Sequence, residues 1–199
     1  MITLDEYITI IMPKMGGWCT ESKARKIADI ATPDQNRVYV EIGVFAGRSL
    51  FAAAIAMRGH GMAIGIDPWK ADDSIVGFED ENKDWWGKLN HDTIYNECRA
   101  TQEQIGVTEN CYLIRSNSKQ ALPLIQKAAP LDVLHIDGNH SVESSCYDVN
   151  NYVPLVKPGG TVIFDDCDWT TTKQAQSILE SMATKISAVG SCGIFLKRR

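Results

Sequence analysis

The residues best suited to chemistry stand at the ends of two apolar runs. Residues 157–169 read KPGGTVIFDDCDW, so a strand-like run ends in Asp165 and Asp166. A second run leads into HIDGNH, which carries Asp137 and His140. Carboxylates at the end of a buried strand repel one another and lose hydration. We therefore expect a cation, helix amide groups or solvent to compensate them.

A shared divalent cation is the compensation we predict for Asp137, Asp165 and Asp166. Parallel strands end at the same edge of a sheet, so neighbouring strands bring their carboxylates together. Mg²⁺ prefers oxygen ligands and keeps several waters, and Mn²⁺ or Ca²⁺ could substitute for it. The sequence has no Cys-x-x-Cys pair that would favour zinc. Two alternatives stay open: Asp137 contacts only a cofactor, and the two adjacent aspartates form a solvated helix start.

His140 and Asp137 are the predicted catalytic residues. A hydroxyl is a poor nucleophile at neutral pH, and a divalent cation lowers its pKa and fixes its orientation. His140 lies about one helical turn past Asp137, and an imidazole with an ordinary pKa near 6.5 suits a general base. The alternative is that His140 only caps a turn. Asp168 is interpreted as the cap of a helix that begins near Trp169.

The stretch VYVEIGVFAGRSL at 38–50 predicts a strand, a tight turn and a helix. Gly43 and Gly47 flank the turn and let the backbone approach a ligand closely. The pattern is not the three-glycine fingerprint of pyrophosphate binders, because Glu41 stands where that motif has its first glycine. A carboxylate there would repel a pyrophosphate but could accept hydrogen bonds from a cationic ligand. This difference disfavours NAD.

The next two strands end in residues that suit a nucleoside. Asp67 follows the glycine turn by about 20 residues, the spacing at which a carboxylate takes a ribose diol. Trp69 offers an apolar face, and Asn117 or Ser118 is placed to meet an adenine edge. The alternatives are that Asp67 only stabilises the turn before Pro68 and that Ser118 caps the following helix.

The candidate site residues lie at the ends of strands in a predicted parallel sheet that has helices on both faces. Strand-like runs occur at 38–42, 62–66, 111–115, 132–136 and 160–164, and helix-like stretches at 48–58, 84–105, 118–128, 141–153 and 171–184. Their alternation indicates right-handed βαβ units. Two last runs, 184–190 and 192–198, are separated only by Gly190 and Ser191, which predicts an antiparallel hairpin. The predicted fold is therefore an α/β sheet of seven strands, mostly parallel.

Two regions are predicted along the chain. Residues 1–36 form a helical segment that covers substrate or cofactor and ends in a turn at Asp34–Asn36, and residues 37–199 form the ligand-binding domain. The acidic and aromatic insert 67–84 follows the second strand, where open α/β sheets bind ligands. It is interpreted as a lid or substrate loop, with a disordered surface loop as the alternative.

Composition narrows the function classes. The net charge is −5 and no basic stripe is present, which disfavours nucleic acid as a partner. No apolar run reaches the roughly 18 residues of a membrane span, and the acidic start lacks the features of a signal peptide. The six cysteines form no metal or redox motif, so we expect reduced thiols and a cytoplasmic protein.

Five motifs in order resemble the class I S-adenosylmethionine-dependent methyltransferases. They are Glu-x-Gly-x-x-x-Gly-x-Ser, Ile-Asp-Pro-Trp, Asp-Gly-x-His, Pro-Gly-Gly and Asp-Asp, each at a strand end. The last motifs resemble the metal-dependent O-methyltransferase branch, with its macrocin-type sugar methyltransferases, cephalosporin-hydroxylase-like proteins and, more distantly, catechol methyltransferases. The resemblance covers about residues 15–199, including Gly17-Trp18-Cys19-Thr20 ahead of the first strand. Catechol-type relatives have Asn where this chain has Asp166.

The resemblance implies a Rossmann-like fold, S-adenosylmethionine as cofactor and His140 as the base. It implies cofactor contacts at Glu41, Gly43, Phe45, Gly47, Ser49, Asp67, Trp69, Asn117, Ser118 and Asp137. The acceptor would be a hydroxyl of a sugar, polyol or natural product, and a homo-oligomer is possible for this family. Trp85, Trp86 and His91 are candidates for the acceptor wall, with a core position as the alternative.

Three functions compete with a metal-assisted O-methyltransferase. One is hydroxylase-like chemistry on the same fold, and another is a catalytically idle S-adenosylmethionine-binding module. A nicotinamide oxidoreductase is disfavoured by Glu41 and by the closing hairpin.

Overall fold

The computed structural model describes residues 1–32, 36–77 and 81–199, and the side chains of the last range from 83 onward. The predicted turn at Asp34–Asn36 therefore lies outside the described residues except for Asn36, and so does the part of the predicted lid at 78–80.

A seven-stranded sheet organises the molecule, in the order β3-β2-β1-β4-β5-β7-β6. The strands are β1 Arg37–Ile42, β2 Gly61–Asp67, β3 Cys111–Arg115, β4 Leu131–Ile136, β5 Val156–Phe164, β6 Ala183–Val189 and β7 Cys192–Lys197. β1 to β5 pair in parallel, and β7 pairs antiparallel with both β5 and β6. The predicted α/β class, the mostly parallel sheet and the closing antiparallel hairpin are confirmed.

Helices cover both faces of this sheet. They are α1 Leu4–Glu6, α2 Glu21–Ala31, α3 Arg48–Ala56, α4 Ala71–Ser74, α5 Glu81–Lys88, α6 His91–Ile105, α7 Ser118–Ala128, α8 Val142–Tyr152 and α9 Lys173–Met182. The prediction of a single helix at 84–105 is wrong, because this stretch forms two helices, α5 and α6, with a short interruption between them. Asn90 causes the break by capping α6, its side chain accepting the backbone N–H of Thr93 at 3.0 Å. No helix in the described ranges is long and apolar enough to cross a membrane.

Alternate residues of the central strands pack into two separate hydrophobic cores, one on each face of the sheet. Tyr39, Val133 and Ile163 pack on the face covered by α2 and α3. Their neighbours Val40, Leu134 and Val162 pack on the opposite face, against α7, α8 and α9. The period of two along a strand produces this division. It also decides which polar side chains at the strand ends meet, because residues of the same parity share a face.

The N-terminal segment packs on the α3 side of the sheet. Tyr7 is fully buried, and its hydroxyl donates to the Arg48 carbonyl at 3.0 Å. α2 buries an apolar stripe of Ala24, Ile27, Ala28 and Ala31. The segment thus lies next to the first strand's turn, where the prediction places a cover; its role as a separate region stays a prediction.

Candidate active site

The carboxyl ends of β1, β4 and β5 lie side by side at one edge of the sheet. Glu41 pairs in register with His135, and His135 pairs with Ile163. The ladder continues past the strand ends, where Asp137 N–H donates to Ile42 O at 2.8 Å and Asp165 N–H donates to Ile136 O at 3.0 Å. The two aspartates are therefore held by backbone bonds at adjacent strand ends, as the sequence predicts.

Asp165 and Asp166 take different surroundings although they are consecutive. Asp166 has a left-handed backbone with φ of 47°, a conformation that aspartate tolerates better than most residues. Its Oδ1 accepts the Ser191 hydroxyl at 3.3 Å, and its Oδ2 faces His140. The Asp165 carboxylate instead lies on the buried side, against Lys23 and His135.

Asp137, Asp166 and His140 converge on one point. His140 Nε2 lies 3.4 Å from Asp166 Oδ2 and 3.8 Å from Asp137 Oδ1, and one ligand atom from each residue falls within 4.8 Å of the others. This Nε2 is buried and has no hydrogen-bond partner among the described residues. Burial lowers the pKa of His140, more than the nearby Asp166 carboxylate raises it, so the imidazole is neutral. A neutral nitrogen facing two carboxylates suits a shared cation or a proton to be accepted.

Lys23 of α2 occupies the other side of the cluster. Its ammonium donates to Asp137 Oδ2 at 3.0 Å and to Asp165 Oδ2. Burial alone would lower the pKa of Lys23, but the Asp137 and Asp165 carboxylates raise it, so the ammonium stays charged. Sequence reasoning missed Lys23 entirely, because nothing local to α2 indicates which strand ends it reaches.

His135 joins this cluster to β1. Its Nε2 lies 3.3 Å from Asp165 Oδ2 and its Nδ1 lies 3.1 Å from Glu41 Oε2. Burial would lower its pKa, but Glu41 and the hydrogen bond to Asp165 raise it to about 9. His135 was also missed, although it lies two residues before Asp137, and alternate residues of a strand share a face, which was an available signal.

The pKa values of Asp137 and Asp165 are shifted in opposite directions. Burial raises the pKa of Asp137 to about 8 against the opposing effect of Lys23. Burial acts the same way on Asp165, but the His135 hydrogen bond and Lys23 hold the pKa of Asp165 well below its usual range. Asp165 is thus the ionised partner of Lys23 and His135. Asp137 gains from a further cation, because its charged form is the disfavoured one.

The predicted cofactor residues divide into a buried and an accessible group. The accessible group lies partly exposed at the carboxyl edge of the sheet: Gly43, Phe45, Asp67, Asn117, Ser118 and Asp137. The buried group is Glu41, Gly47, Ser49 and Trp69. Glu41 has its two oxygens bound by the Ser49 hydroxyl at 2.7 Å and the Tyr39 hydroxyl at 2.6 Å. Trp69 donates its Nε1–H to Phe45 O at 2.8 Å. The polar groups of the buried Glu41 and Trp69 side chains are therefore bonded within the protein, and we interpret their role as support of the sheet edge.

Close packing of the chain explains why the turn after β1 has glycine at positions 43 and 47. A Cβ on Gly43 would lie 1.9 Å from the Asp137 carbonyl oxygen, and one on Gly47 would lie 2.6 Å from the Phe51 ring. Asp67 ties the same turn, accepting the N–H groups of Val44 at 3.0 Å and Phe45 at 2.9 Å. That is the contact expected from the turn-stabilising alternative, and the ribose role of Asp67 stays a prediction.

Asn117, rather than Ser118, caps α7. Its Oδ1 accepts the Gln120 N–H at 3.0 Å, so the predicted Ser118 cap is wrong by one residue. The helix therefore begins at Ser118 itself. Whether either residue meets an adenine edge stays a prediction.

The described part of the insert lies across the ends of β3 and β4. Asn117 Nδ2 donates to Asp73 Oδ1 at 2.8 Å. Asn139 Nδ2 donates to Ser74 O at 3.1 Å and Val76 O at 2.9 Å. These contacts hold α4 over the side of the sheet where the cofactor is predicted, the position expected of a lid.

Four aromatic rings form a tryptophan cluster beside the glycine turn: Trp18, Phe45, Trp85 and Trp86. Trp18 stacks on Phe45 at 5.7 Å between ring centroids, and Trp85 lies 5.0 Å from Trp18. Trp18 is 67% exposed and Trp85 is 42% exposed, so the cluster is a surface feature rather than core. His91 differs from its predicted companions, because it is buried and bonded to the Trp86 carbonyl at 2.9 Å.

The predicted cap at Asp168 is wrong. The chain after β5 forms a short 3-10 helix at Thr170–Thr172 with Trp169 at the N-cap position and no side-chain cap. Trp169 instead packs against the His140 ring, 5.1 Å between centroids. The Thr172 hydroxyl bonds to Asp166 O at 2.6 Å and takes over the stabilisation of the turn.

Several solved structures with this architecture are described as O-methyltransferases. The O-methyltransferase NovP is 20% identical with a TM-score of 0.69, over 90% of this chain and 81% of that one. TomG from Streptomyces achromogenes, solved in complex with SAM, is 17% identical with a TM-score of 0.67, over 94% and 83%. At these identities the likeness shows the fold.

Two curated relatives match in sequence, and both are described as uncharacterized proteins. One from Sinorhizobium fredii is 27% identical over 66% of this chain and 13% of its own length. One from Acanthamoeba polyphaga mimivirus is 28% identical over 75% of this chain and 61% of its own length. The chain therefore spans less than two thirds of either relative.

A family model described as a methyltransferase domain matches residues 40–167, from β1 to the turn after β5. The match covers more than half of the chain and includes the glycine turn, Asp67 and the Asp137–His140 and Asp165–Asp166 pairs. The chain belongs to this methyltransferase-domain family, with the fold of the class I S-adenosylmethionine-dependent enzymes.

Proposed function

We propose that this protein methylates a hydroxyl of a small molecule with S-adenosylmethionine, assisted by a divalent cation. The observation that carries the proposal is the buried, unpartnered Nε2 of His140, which faces the carboxylates of Asp137 and Asp166. Buried polar atoms are almost always hydrogen-bonded, so an atom left without a partner in a cleft points to a missing ligand.

The donor set fits a hard divalent cation. Asp137 and Asp166 offer two carboxylates, the number with which Mg²⁺ is commonly held while it keeps its waters. Such a cation lowers the pKa of a hydroxyl and fixes its orientation. Asp165 stays a predicted ligand, but its partners in this structure are Lys23 and His135, so we assign the cation to Asp137 and Asp166.

His140 is the proposed base. Its neutral imidazole has a free Nε2 beside the two carboxylates, so it can accept the proton of a hydroxyl that sits there. Trp169 packs on the ring and restricts its orientation. Proton acceptance and metal coordination would use the same nitrogen, so the two roles exclude each other, and the effect of a His140 variant on metal affinity distinguishes them.

The accessible edge residues are proposed to hold the cofactor, which supplies an electrophilic methyl group when bound. Gly43, Phe45 and Asp137 surround the end of β1, and α4 closes the adjoining side through Asn117. The tryptophan cluster shares Phe45 with this edge, so we propose that it packs against the acceptor. A sugar, polyol or natural product with an apolar face would fit such rings.

The test compares His140→Ala with Asp166→Asn. We expect methyl transfer to a panel of small diols to fall at least about 100-fold in His140→Ala, as is typical when a general base is removed. Methyl transfer should also fall in Asp166→Asn, because the cation that activates the hydroxyl is bound less tightly. Mn²⁺ affinity should fall only in Asp166→Asn, and S-adenosylhomocysteine affinity should be unchanged in both.

The outcomes separate the competing functions. Equal loss of Mn²⁺ affinity in both variants would make His140 a ligand rather than the base. Cofactor binding without transfer to any hydroxyl, with or without Mn²⁺, would favour the idle binding module or hydroxylase-like chemistry. Asp84→Asn, an exposed acid of α5 that pairs with Lys88, is the matched control and should leave both affinities unchanged.

A further inference from the structure

A buried ammonium lies between two carboxylates at the edge of the sheet. Lys23 Nζ contacts Asp137 Oδ2 at 3.0 Å and also Asp165 Oδ2, and its side chain is only 12% exposed. Burying an ammonium is costly unless it is paired with an ionised partner. The contact is therefore maintained against a desolvation cost, and the packing of α2 must hold it.

The apolar face of α2 carries Lys23 to this position. Lys23 precedes Ile27 by four residues, one helical turn, so the two side chains share a face of the helix. Ile27 and Ala24 are buried against the sheet, which leaves Lys23 pointing along the sheet edge toward β4 and β5. Docking of α2 thus places a fixed positive charge in the cluster.

The structure assigns Lys23 a role as an intramolecular counter-ion that divides the carboxylates between two cation positions and so sets the divalent-cation affinity of the site. Lys23 and His135 neutralise Asp165, and Asp137 with Asp166 remains for the divalent cation. Asp137 is shared, with Oδ2 on Lys23 and Oδ1 toward His140. This role rests on the proposed cation site, and it makes Lys23 a positioning residue.

The expected consequence follows from Coulomb's law. A positive charge 3.0 Å from a ligand carboxylate competes for that carboxylate and repels a second cation. Removing the charge should therefore tighten divalent-cation binding. A merely structural lysine would change stability and leave cation affinity alone.

The experiment titrates Mn²⁺ into the whole chain and follows binding by electron paramagnetic resonance, with thermal unfolding in parallel. Lys23→Gln should bind Mn²⁺ at least about tenfold more tightly than the parent protein. Its melting temperature should be lowered without metal and should rise more on adding Mn²⁺ than that of the parent. Lys23→Arg keeps the charge and should keep the parent affinity.

Lys26→Gln is the matched control, since it removes the same charge from the same helix at a residue for which no carboxylate contact is recorded in the described ranges. It should leave Mn²⁺ affinity unchanged. If Lys23→Gln binds Mn²⁺ as Lys26→Gln does, the counter-ion role is overturned while the proposed cation site stands. If the parent and both variants fail to bind Mn²⁺, both proposals fall.

A double variant covers the case in which Lys23→Gln does not fold. Lys23→Gln combined with Asp165→Asn removes both members of the buried pair, so neither of the two is left as an unpaired charge. The division of carboxylates predicts Mn²⁺ affinity equal to or tighter than that of the parent. A clear loss of affinity would show that Asp165 is itself a metal ligand and would overturn the inference.

Discussion

Asp148 is a buried acid that the site does not use, and its environment makes stability depend on pH. It is 2% exposed, and its Oδ1 has no hydrogen-bond partner in the described part of the chain. Burial raises the pKa of Asp148 to about 7, against smaller opposing effects of Ser118 and Lys119. The folded state therefore holds this proton over a pH range in which the unfolded chain has released it.

We expect the free energy of unfolding to fall as pH rises from about 4, the unfolded pKa, to about 7, the folded one. The loss has an upper bound of ~4 kcal/mol, because each pKa unit corresponds to about 1.4 kcal/mol. Asp148→Asn removes this pH-dependent contribution. The free energy of unfolding of the variant, relative to that of the parent, should therefore be higher at pH 8 than at pH 4.5. Urea unfolding at the two pH values measures it.

Glu143→Gln is the control on the same helix. Glu143 is exposed, and its hydrogen bond to Lys119 lowers the pKa of its carboxyl, so its contribution has the opposite sign and is small. A pH dependence that Asp148→Asn does not reduce would show that burial does not hold this proton in the folded state.

At Asp166, local sequence patterns predicted the position of the residue but not the orientation of its carboxylate. The sequence placed Asp137, Asp165 and Asp166 at one edge, because strand ends are local features. The backbone of Asp166, with φ of 47°, turned its carboxylate toward His140 and away from Lys23. A φ angle at one turn residue depends on the contacts of Ser191 and Thr172 with it, which lie 25 and 6 residues further along the chain.

At the scale of elements, Gly43 sets how closely the β1 turn approaches β4. Its φ is 87° and an added Cβ would lie 1.9 Å from Asp137 O. Gly43→Ala should cost more than about 3 kcal/mol, since both the left-handed backbone and a backbone clash oppose it. Denaturant unfolding gives the value.

Gly59→Ala isolates the backbone contribution to that loss. Gly59 has a similar φ of 82°, but nothing lies within 4 Å of an added Cβ. The expected cost is about 1 to 2 kcal/mol. Equal losses at the two glycines would mean that the turn, and not the contact between β1 and β4, requires glycine.

The predicted element boundaries were correct where the residues between two elements allow only one kind of connection, and wrong where a residue suits either a helix interior or a helix cap. The hairpin around Gly190 and Ser191 forms as predicted, because no helix fits such a short connection. The helix predicted at 84–105 breaks at Asn90, a residue that is tolerated within helices but is also a strong cap. The choice between these roles is made by tertiary contacts, here the burial of His91 and its hydrogen bond to the Trp86 carbonyl.

At the scale of the whole molecule, Arg48 joins the N-terminal segment to the sheet. Its Nε and Nη2 donate to Met12 O at 3.1 and 2.9 Å, and its Nη1 donates to Gly17 O at 2.6 Å. Arg48→Lys keeps the charge but cannot reproduce the fork of donors. We expect faster amide hydrogen exchange in residues 7–18, and a loss of roughly 1 to 3 kcal/mol in the free energy of unfolding.

Arg25→Lys is the comparison for Arg48→Lys. Arg25 bridges Asp5 and Glu21 on the surface, where such ion pairs contribute little. Its hydrogen exchange should match that of the parent. Unchanged exchange in Arg48→Lys as well would show that apolar packing around Tyr7 alone holds the segment.

The sequence by itself determined the alternation of strands and helices, the mostly parallel sheet with its closing hairpin, and the edge at which the acids gather. Each of these depends on local apolar runs and on the handedness of βαβ connections. Only the tertiary structure decided which side chains each acid contacts. Lys23 reaches Asp137 across 114 residues of chain, and no local pattern encodes a contact that depends on how a distant helix docks.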